Sequence, residues 1–238
     1  MPTQKMSQHI SKKFDNELEN IRGQVMAMGG LVEQQLITAL RALTEGEINL
    51  AESVIDNESL VNSYEVRIDD ECTRILARRQ PAAGDLRLVT AVGKTITDLE
   101  RIGDEAEKIA KMAVDLADKQ GSKGYYIGIN AMGNLVRNMV HEALDAFARM
   151  DTQAALATAS KEPESDDQYA AILRQLITYM MEDPRSITSA LDAIWVARAM
   201  ERIGDHARNI CEYVIYFVEG KDVRHISIEE MEKEVNAD

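Results

Sequence analysis

The sequence predicts an all-α protein built from two tandem, pseudo-symmetric, antiparallel three-helix bundles with six long helices. The composition is the first reason, because aromatic residues make up only 5% of the 238 residues and there are only 4 prolines. The second is that apolar residues recur at steps of three and four along most of the chain. The third is a pentapeptide, Glu-Arg-Ile-Gly-Asp, which occurs at 100–104 and again at 201–205. A repeat period of about one hundred residues indicates a duplicated domain.

The first repeat is predicted to span residues 1–119, beginning with a loose polar arm at 1–9. Apolar spacing places its three helices at about 10–43, 48–79 and from 84 to the end of the repeat. Gly29-Gly30 is expected to weaken or bend the first helix. Gln80-Pro81 ends the second helix, because the residue before a proline disfavours the α region.

The second repeat is predicted over residues 125–220, after a linker at Lys119–Gly124 in which glycine and serine interrupt the helical pattern. Its helices are expected at about 127–150, 152–182 and 186–219, with Gly220 as the final stop. Pro163 and the acidic run that surrounds it are expected to break or kink the middle helix. Residues 221–238 are predicted to be a charged, partly frayed tail. Helices of this length, about 45 Å for ~30 residues, make each half an elongated bundle.

The repeated pentapeptide places two acids on one helix face in each half. The pairs are Glu100 with Asp104 and Glu201 with Asp205. Residues four apart are neighbours on a helix, and two like charges there cost roughly 0.2–0.5 kcal/mol. A cation bound by both carboxylates would explain the pair. The alternative is a solvated acidic face with the adjacent arginine as counter-charge.

The second helix carries another pair of acids with this spacing, Glu65 and Asp69. If it faces the third helix, carboxylates from both helices converge. With the repeat offset of 101 positions, Glu65 corresponds to Asp166 and Asp69 to Ala170. The first half then offers four acids and the second half three, so the second site is expected to be weaker. Oxygen ligands favour hard or borderline cations, while a solvated face is again the alternative.

Composition and motifs exclude several functional classes. The chain has 27 basic and 41 acidic residues, a net charge of −14, which argues against an extended interface with nucleic acid or an anionic membrane. No stretch approaches the ~20 apolar residues of a membrane span, and no signal peptide is expected. Cys72 and Cys211 are expected to be reduced and partly buried, which fits the cytosol. With no phosphate loop, nucleophile elbow, catalytic triad or Glu-x-x-His motif, no catalytic residue is predicted.

Basic residues cluster near one predicted turn of the otherwise acidic chain. Arg78, Arg79 and Arg87 surround the turn between the second and third helices, and with Arg149 they form a predicted docking surface for a partner. The alternative is that helix-end arginines complement the helix dipole.

Three further side chains carry expectations of their own. His206 follows Asp205 and could join the acidic site, although adjacent residues on a helix point about 100° apart. Trp195 and Met180-Met181 are expected to lie in the core.

Several segments are highly similar to the PhoU family of phosphate transport regulators. They are Met28–Gly30, Val32–Leu36, Arg78–Arg87, Leu99–Asp104, Ala146–Asp151 and Tyr179–Asp183, and the match extends over nearly the whole chain. The resemblance implies an all-helical, non-enzymatic negative regulator of the phosphate-starvation response and of phosphate uptake. Its partners would be the ATPase subunit of the phosphate ABC transporter and a sensor histidine kinase.

The resemblance also implies a homodimer in the cytoplasm, held at the inner membrane through its partners. It implies metal ions, Fe, Zn, Mg or Mn, on the acidic motifs. The residues carried over are Glu65, Asp69, Glu100, Asp104, Asp166, Glu201 and Asp205. Two other hypotheses stay open: a metal-dependent carboxylate-bundle enzyme, which the missing Glu-x-x-His motif disfavours, and a purely structural helical scaffold.

Overall fold

A computed structural model describes residues 12–117 and 126–237, and the described chain is helical with short connections. The helices are α1 (Lys12–Glu45), α2 (Ile48–Arg79), α3 (Ala83–Ala117), α4 (Tyr126–Arg149), α5 (Thr152–Ala159), α6 (Glu162–Glu182), α7 (Ile187–Glu219) and α8 (Ile228–Asn236), with a 3₁₀ turn at Pro184–Ser186 before α7. The predicted all-α class with two repeated three-helix units is confirmed. The predicted arm at 1–9 and the linker at Lys119–Gly124 lie outside the described residues.

Local signals in the sequence account for the helix ends. Gln80, before Pro81, adopts a left-handed conformation (φ 47°) and its N–H donates to the Leu76 carbonyl, which ends α2. Gly220 ends α7 in the same way at φ 77°. At the turn after α4, the carboxylate of Asp151 accepts a hydrogen bond from the Ala154 N–H at 2.9 Å and caps α5.

The predicted middle helix of the second half is two helices, α5 and α6, separated at Ser160–Lys161. A break was expected, but it lies just before the acidic run, which is itself helical. Pro163 stands in the first turn of α6, where its missing N–H leaves no hydrogen bond unmade.

The frayed tail expected after Gly220 is corrected by α8. Ser227 accepts a hydrogen bond from the Glu230 N–H, and the Glu230 side chain accepts one from the Ser227 N–H, so a capping box starts this helix. Met231 is fully buried and α8 packs on α5. The Ser-x-x-Glu cap and the apolar residues Met231 and Val235, which both pack on the core, explain why this segment is a helix.

The two halves share one continuous core. Helices α1, α2 and α3 form the first bundle, and α4, the α5–α6 pair and α7 form the second. The most extensive contact between the halves joins α3 to α7, which run antiparallel around a pseudo-two-fold axis near the buried Ile102 and Ile203. Helices α1 and α4 also pack antiparallel, with Leu144 against Gly29 and Leu40 against Gly133.

Buried polar contacts connect α3 and α7. The Asp98 carboxylate lies 2.6 Å from His206 Nδ1 and accepts a hydrogen bond from Asn209 Nδ2 at 3.0 Å. Glu105, only 2% exposed, pairs with Arg202 at 2.7 Å. His206 is therefore engaged between the halves. No helix within 12–117 or 126–237 has the length and apolar character needed to cross a membrane.

Candidate metal centres

The register between the two halves differs from the one that the pentapeptide indicates. Between α3 and α7 the offset is 101 positions, but between α2 and α6 it is 104. The evidence is the burial pattern, since the buried positions Val61, Ile68 and Cys72 of α2 recur in α6 as Ser165, Ile172 and Leu176. Contacts agree: Val61 faces Gly103, and Ser165 faces Gly204.

The turns explain the difference of three residues. Gln80–Ala82 connects α2 to α3, whereas Asp183 alone separates α6 from the 3₁₀ turn that leads into α7. An offset read from α3 and α7 therefore cannot be extended to the helices before these turns. This corrects two pairings made from sequence: Asp166 corresponds to Asn62 and not to Glu65, and Ala170 is not the counterpart of Asp69.

In the second half, the structure brings three carboxylates together. Glu162 and Asp166 lie one turn apart on α6, Asp205 faces them from α7, and each offers an oxygen within 4.8 Å of the others. Burial raises the pKa of Asp205, and the charges of Glu162 and Asp166 raise it further. Glu162 also pairs with Arg208 at 2.8 Å through its Oε2. Sequence reasoning missed Glu162, because the wrong register placed Val61 opposite it.

Glu201, one turn before Asp205, extends this site. Its Oε1 pairs with Arg198 at 2.5 Å, while its Oε2 is buried without a hydrogen-bond partner. Burial and the charge of Asp205 raise the pKa of Glu201, and Arg198 opposes this shift. The Oγ of the fully buried Ser165 is also unpartnered. Unpaired buried oxygens beside clustered carboxylates are the arrangement that a cation would stabilise.

The first half holds a related but more open group. Burial raises the pKa of Glu100, as do the charges of Asp104, Glu65 and Glu58. Glu65 accepts a hydrogen bond from Thr97 Oγ1 at 3.3 Å and so lies at this helix face. The convergence of four acids expected here does not appear, because no three metal-type ligands in the described part of this half come within 4.8 Å.

An amide takes the place of one acid in the first half. Asn62 donates a hydrogen bond to Glu58, and its Oδ1 is buried without a partner. Both polar atoms of the buried Gln35 side chain are also unpartnered. Asp69 is exposed and is not among the charges that shift the pKa of Glu100. The first group therefore has one carboxylate fewer than the second at matched positions.

The donor sets fit a hard or borderline cation. Carboxylate, amide and hydroxyl oxygens are the ligands that Mg²⁺, Mn²⁺ and Ca²⁺ prefer, and Fe and Zn accept carboxylates as well. Both cysteines are buried free thiols, as expected from the sequence. Burial raises the pKa of Cys72 to about 12 and that of Cys211 higher still, so neither is a ready thiolate ligand.

The four predicted docking arginines differ in their contacts. Arg79 makes two 2.8 Å hydrogen bonds to Glu17, Arg87 donates to the Phe217 carbonyl, and Arg149 pairs with Asp145 at 3.4 Å. Arg78 has no ion pair among the described residues, and it lines a cleft of about 430 Å³ with Lys13 and Arg74. The contact between Arg22 and the Ala148 carbonyl places Arg149 at the same end of the molecule.

The expectation that Trp195 and Met181 lie in the core is wrong. Trp195 is 65% exposed and Met181 80% exposed. Their hydrophobicity suggested burial, but each stands on the outer face of its helix. Their exposure therefore requires another explanation than core packing.

Comparisons with known proteins agree over nearly the whole chain. The model of the PhoU domain matches twice, at residues 25–113 and 129–214. The phosphate-specific transport system accessory protein PhoU homolog of Pseudomonas putida is 52% identical over 97% of this chain and 90% of its own length. The Escherichia coli accessory protein PhoU is 46% identical over 98% of this chain and 96% of its own. The crystal structure of PhoU from Pseudomonas aeruginosa superposes with a TM-score of 0.86 at 50% identity, covering 87% of this chain and all of that one.

Proposed function

The chain belongs to the PhoU family, and on that premise we propose that it is a non-enzymatic adaptor of phosphate transport, acting between the ATPase subunit of the phosphate ABC transporter and a sensor histidine kinase. In this role it is a negative regulator of the phosphate-starvation response and of phosphate uptake. The observation that carries the proposal is the near full-length similarity to accessory proteins of the phosphate-specific transport system. Its location follows from its partners: the cytoplasm, at the inner membrane.

The chemistry of the described residues favours binding over turnover. The most concentrated group is the carboxylate cluster of Glu162, Asp166 and Asp205. An acyl- or phosphoryl-transfer enzyme needs a positioned nucleophile or general base next to its substrate. Here both cysteines are buried with raised pKa values, and His206 is only 16% exposed at the contact between the halves. These contacts support an adaptor.

We propose that each acidic group holds a metal ion. The second site would use Glu162, Asp166, Glu201 and Asp205, and the first Glu58, Asn62, Glu100 and Asp104 with Glu65 at its edge. Bound metal would neutralise the clustered charge and fix α6 against α7 and α2 against α3. Fe, Zn, Mg and Mn all fit oxygen donors. Because the second site has Asp166 where the first has Asn62, we propose that the second site is the tighter one, the reverse of the order expected from Ala170.

The basic end of the molecule is the proposed docking surface for a partner. Arg78 contributes a charge that makes no ion pair among the described residues, and its cleft also contains Lys13 and Arg74. The two acids of the cleft are already paired: Glu17 with Arg79, and Glu71 with Asn20, Gln24 and, at 3.6 Å, Arg74. An acidic surface on the ATPase subunit or kinase would complement it. We also propose that the protein acts as a homodimer.

A pull-down tests this function. Immobilised protein is incubated with the transporter's ATPase subunit and with the cytoplasmic part of the kinase, at high and low phosphate, with Mn²⁺ or with chelator. We expect both partners to be retained, with weaker retention by Arg78→Glu and after chelation. Asp69→Asn serves as the control, because it removes an acid outside both sites. Failure to retain either partner under all conditions would contradict the adaptor role, and a robust phosphatase activity lost in Glu100→Gln would favour the enzyme hypothesis instead.

A further inference from the structure

An apolar patch lies at one end of the second half, where α6 turns into α7. Its five exposed side chains are Ile177, Met181, Ile187, Leu191 and Trp195. Ile187, Leu191 and Trp195 follow each other at steps of four along α7, and Ile177 and Met181 do so along α6, so each set forms a stripe. Together they are named the α6–α7 patch.

The packing of the two helices places the stripes side by side. Ser165 contacts Gly204, and Tyr169 lies against Arg198, which fixes the antiparallel register of α6 and α7. In that register Ile177 is level with Leu191, and Met181 is level with Ile187. The exposed side chains therefore form one surface on the order of 500 Å², the size of the largest apolar patches on monomeric proteins, which are often functional.

The fold itself does not require this patch, as the first half demonstrates. The matched positions there are Thr73, Ala77, Leu86, Thr90 and Lys94. Only Leu86 is a large apolar residue, and Lys94 lies over the rings of Tyr213 and Tyr216. The same bundle thus forms with mainly polar residues at these places. The four additional apolar side chains of the second half serve something outside the bundle.

A basic and an acidic residue beside the patch are placed so that they would pair between two copies of the chain. Arg174 and Glu182 are exposed on α6, each four residues from Thr178. Neither side chain has a hydrogen bond or ion pair within the described chain. When two copies of α6 pack antiparallel about a two-fold axis near Thr178, Arg174 of each copy faces Glu182 of the other. An isologous contact requires this kind of self-complementary surface.

We propose that the α6–α7 patch is the interface through which two copies of this chain form a dimer. The proposal rests on the homodimer of the proposed function and names its surface. Specific dimers bury about 800 Å² per partner, so the patch would supply more than half of that area, with Arg174 and Glu182 at its rim. Trp195 lies level with Arg174 and is expected to contribute most to the binding energy, because tryptophans that become buried dominate interface energetics.

Sedimentation of the full-length protein over a range of concentrations tests the proposal. We expect a dimer, and we expect Trp195→Asp to raise its dissociation constant on the order of a hundredfold. Val66→Asp is the matched control, because Val66 on α2 is apolar and 64% exposed but lies outside the patch. It should leave the dimer unchanged.

A charge reversal distinguishes a specific contact from a folding defect. Arg174→Glu and Glu182→Arg each place like charges across the proposed axis and should each weaken the dimer about tenfold, whereas the double variant should restore it. A wild-type protein that stays monomeric would overturn both the dimer and this surface. A wild-type dimer unaffected by Trp195→Asp, or not restored by the double reversal, would overturn the surface alone.

Discussion

Three carboxylates of the two acidic groups are held in places where their ionised form is unfavourable. Burial and neighbouring acids raise the pKa values of Glu100, Glu201 and Asp205. Glu100 and Glu201 occupy matched positions, so each half contains a repulsion between carboxylates that a bound cation would relieve. The pentapeptide acids were identifiable from their spacing, because residues four apart always share a helix face. Glu58, Asn62 and Glu162 could not be identified in this way, because their positions opposite the pentapeptide acids depend on the length of the turn before α3 or α7.

Glu201→Gln tests the stored repulsion. The folded-state pKa of Glu201 is raised, so its ionised form destabilises the metal-free fold above that pKa, and the penalty disappears as the pH falls through the folded value to the unfolded one. We expect the metal-free variant to be more stable than wild type at neutral pH, by less than about 1 kcal/mol, with the advantage shrinking in mild acid. Denaturant unfolding at several pH values measures it. A variant less stable than wild type at neutral pH without metal would show that the pairing with Arg198 outweighs the repulsion.

Helices in the two halves follow one plan with local departures. The periodicity predicted the helices of the first half closely, because each is continuous and ends at a strong signal such as Gln80-Pro81. The α5–α6 break at Ser160–Lys161 and the capped α8 were less visible, since tertiary packing decides them. Because the turn before α7 is short, each residue of α2 corresponds to a residue of α6 three positions later than the pentapeptide offset indicates. The pairings predicted between residues of α2 and α6 were therefore wrong. Which acids of neighbouring helices face each other could therefore be determined only from the structure.

The two pentapeptide glycines provide a test of helix packing. A Cβ on Gly103 would lie 3.4 Å from Val61, an ordinary contact, whereas a Cβ on Gly204 would lie 3.1 Å from the Oγ of buried Ser165. Alanine gains about 1 kcal/mol over glycine within a helix. We expect Gly103→Ala to raise the free energy of unfolding by about that amount and Gly204→Ala to gain less or to destabilise. Thermal denaturation of metal-free samples compares the stabilities of the two variants. Equal gains in stability would mean that α6 and α7 are no closer to each other than α2 and α3.

The whole molecule is organised around the contact between α3 and α7. The pseudo-two-fold axis passes near Ile102 and Ile203, so the repeated pentapeptides meet at the centre of the molecule. One continuous core and the buried contacts of Asp98 and Glu105 join the halves. The sequence predicted two tandem bundles but not that they share one core. An apolar stripe that packs within its own half has the same periodicity as one that packs against the other half.

Arg202→Met tests the union of the halves. It would leave Glu105, which is 2% exposed, with only Lys108 as partner. We expect a loss of about 1–3 kcal/mol in the free energy of unfolding, with a single calorimetric transition retained. Arg101→Met is the matched control, because Arg101 holds the same motif position but its side chain is 52% exposed and its ion pairs are long, at 3.5 and 3.9 Å. This variant should change stability by less than about 0.5 kcal/mol. Two separate transitions in the wild type would contradict a shared core.

Calorimetric titration of the metal-free protein with Mn²⁺ tests the two-site proposal most directly. We expect two unequal sites, the tighter lost in Asp205→Asn and the weaker lost in Asp104→Asn. Asn62→Asp should tighten the weaker site on the order of tenfold, because it supplies the missing carboxylate, and Asp69→Asn should change neither. Absence of binding to wild type, or equal effects of Asp205→Asn and Asp69→Asn, would contradict the proposal.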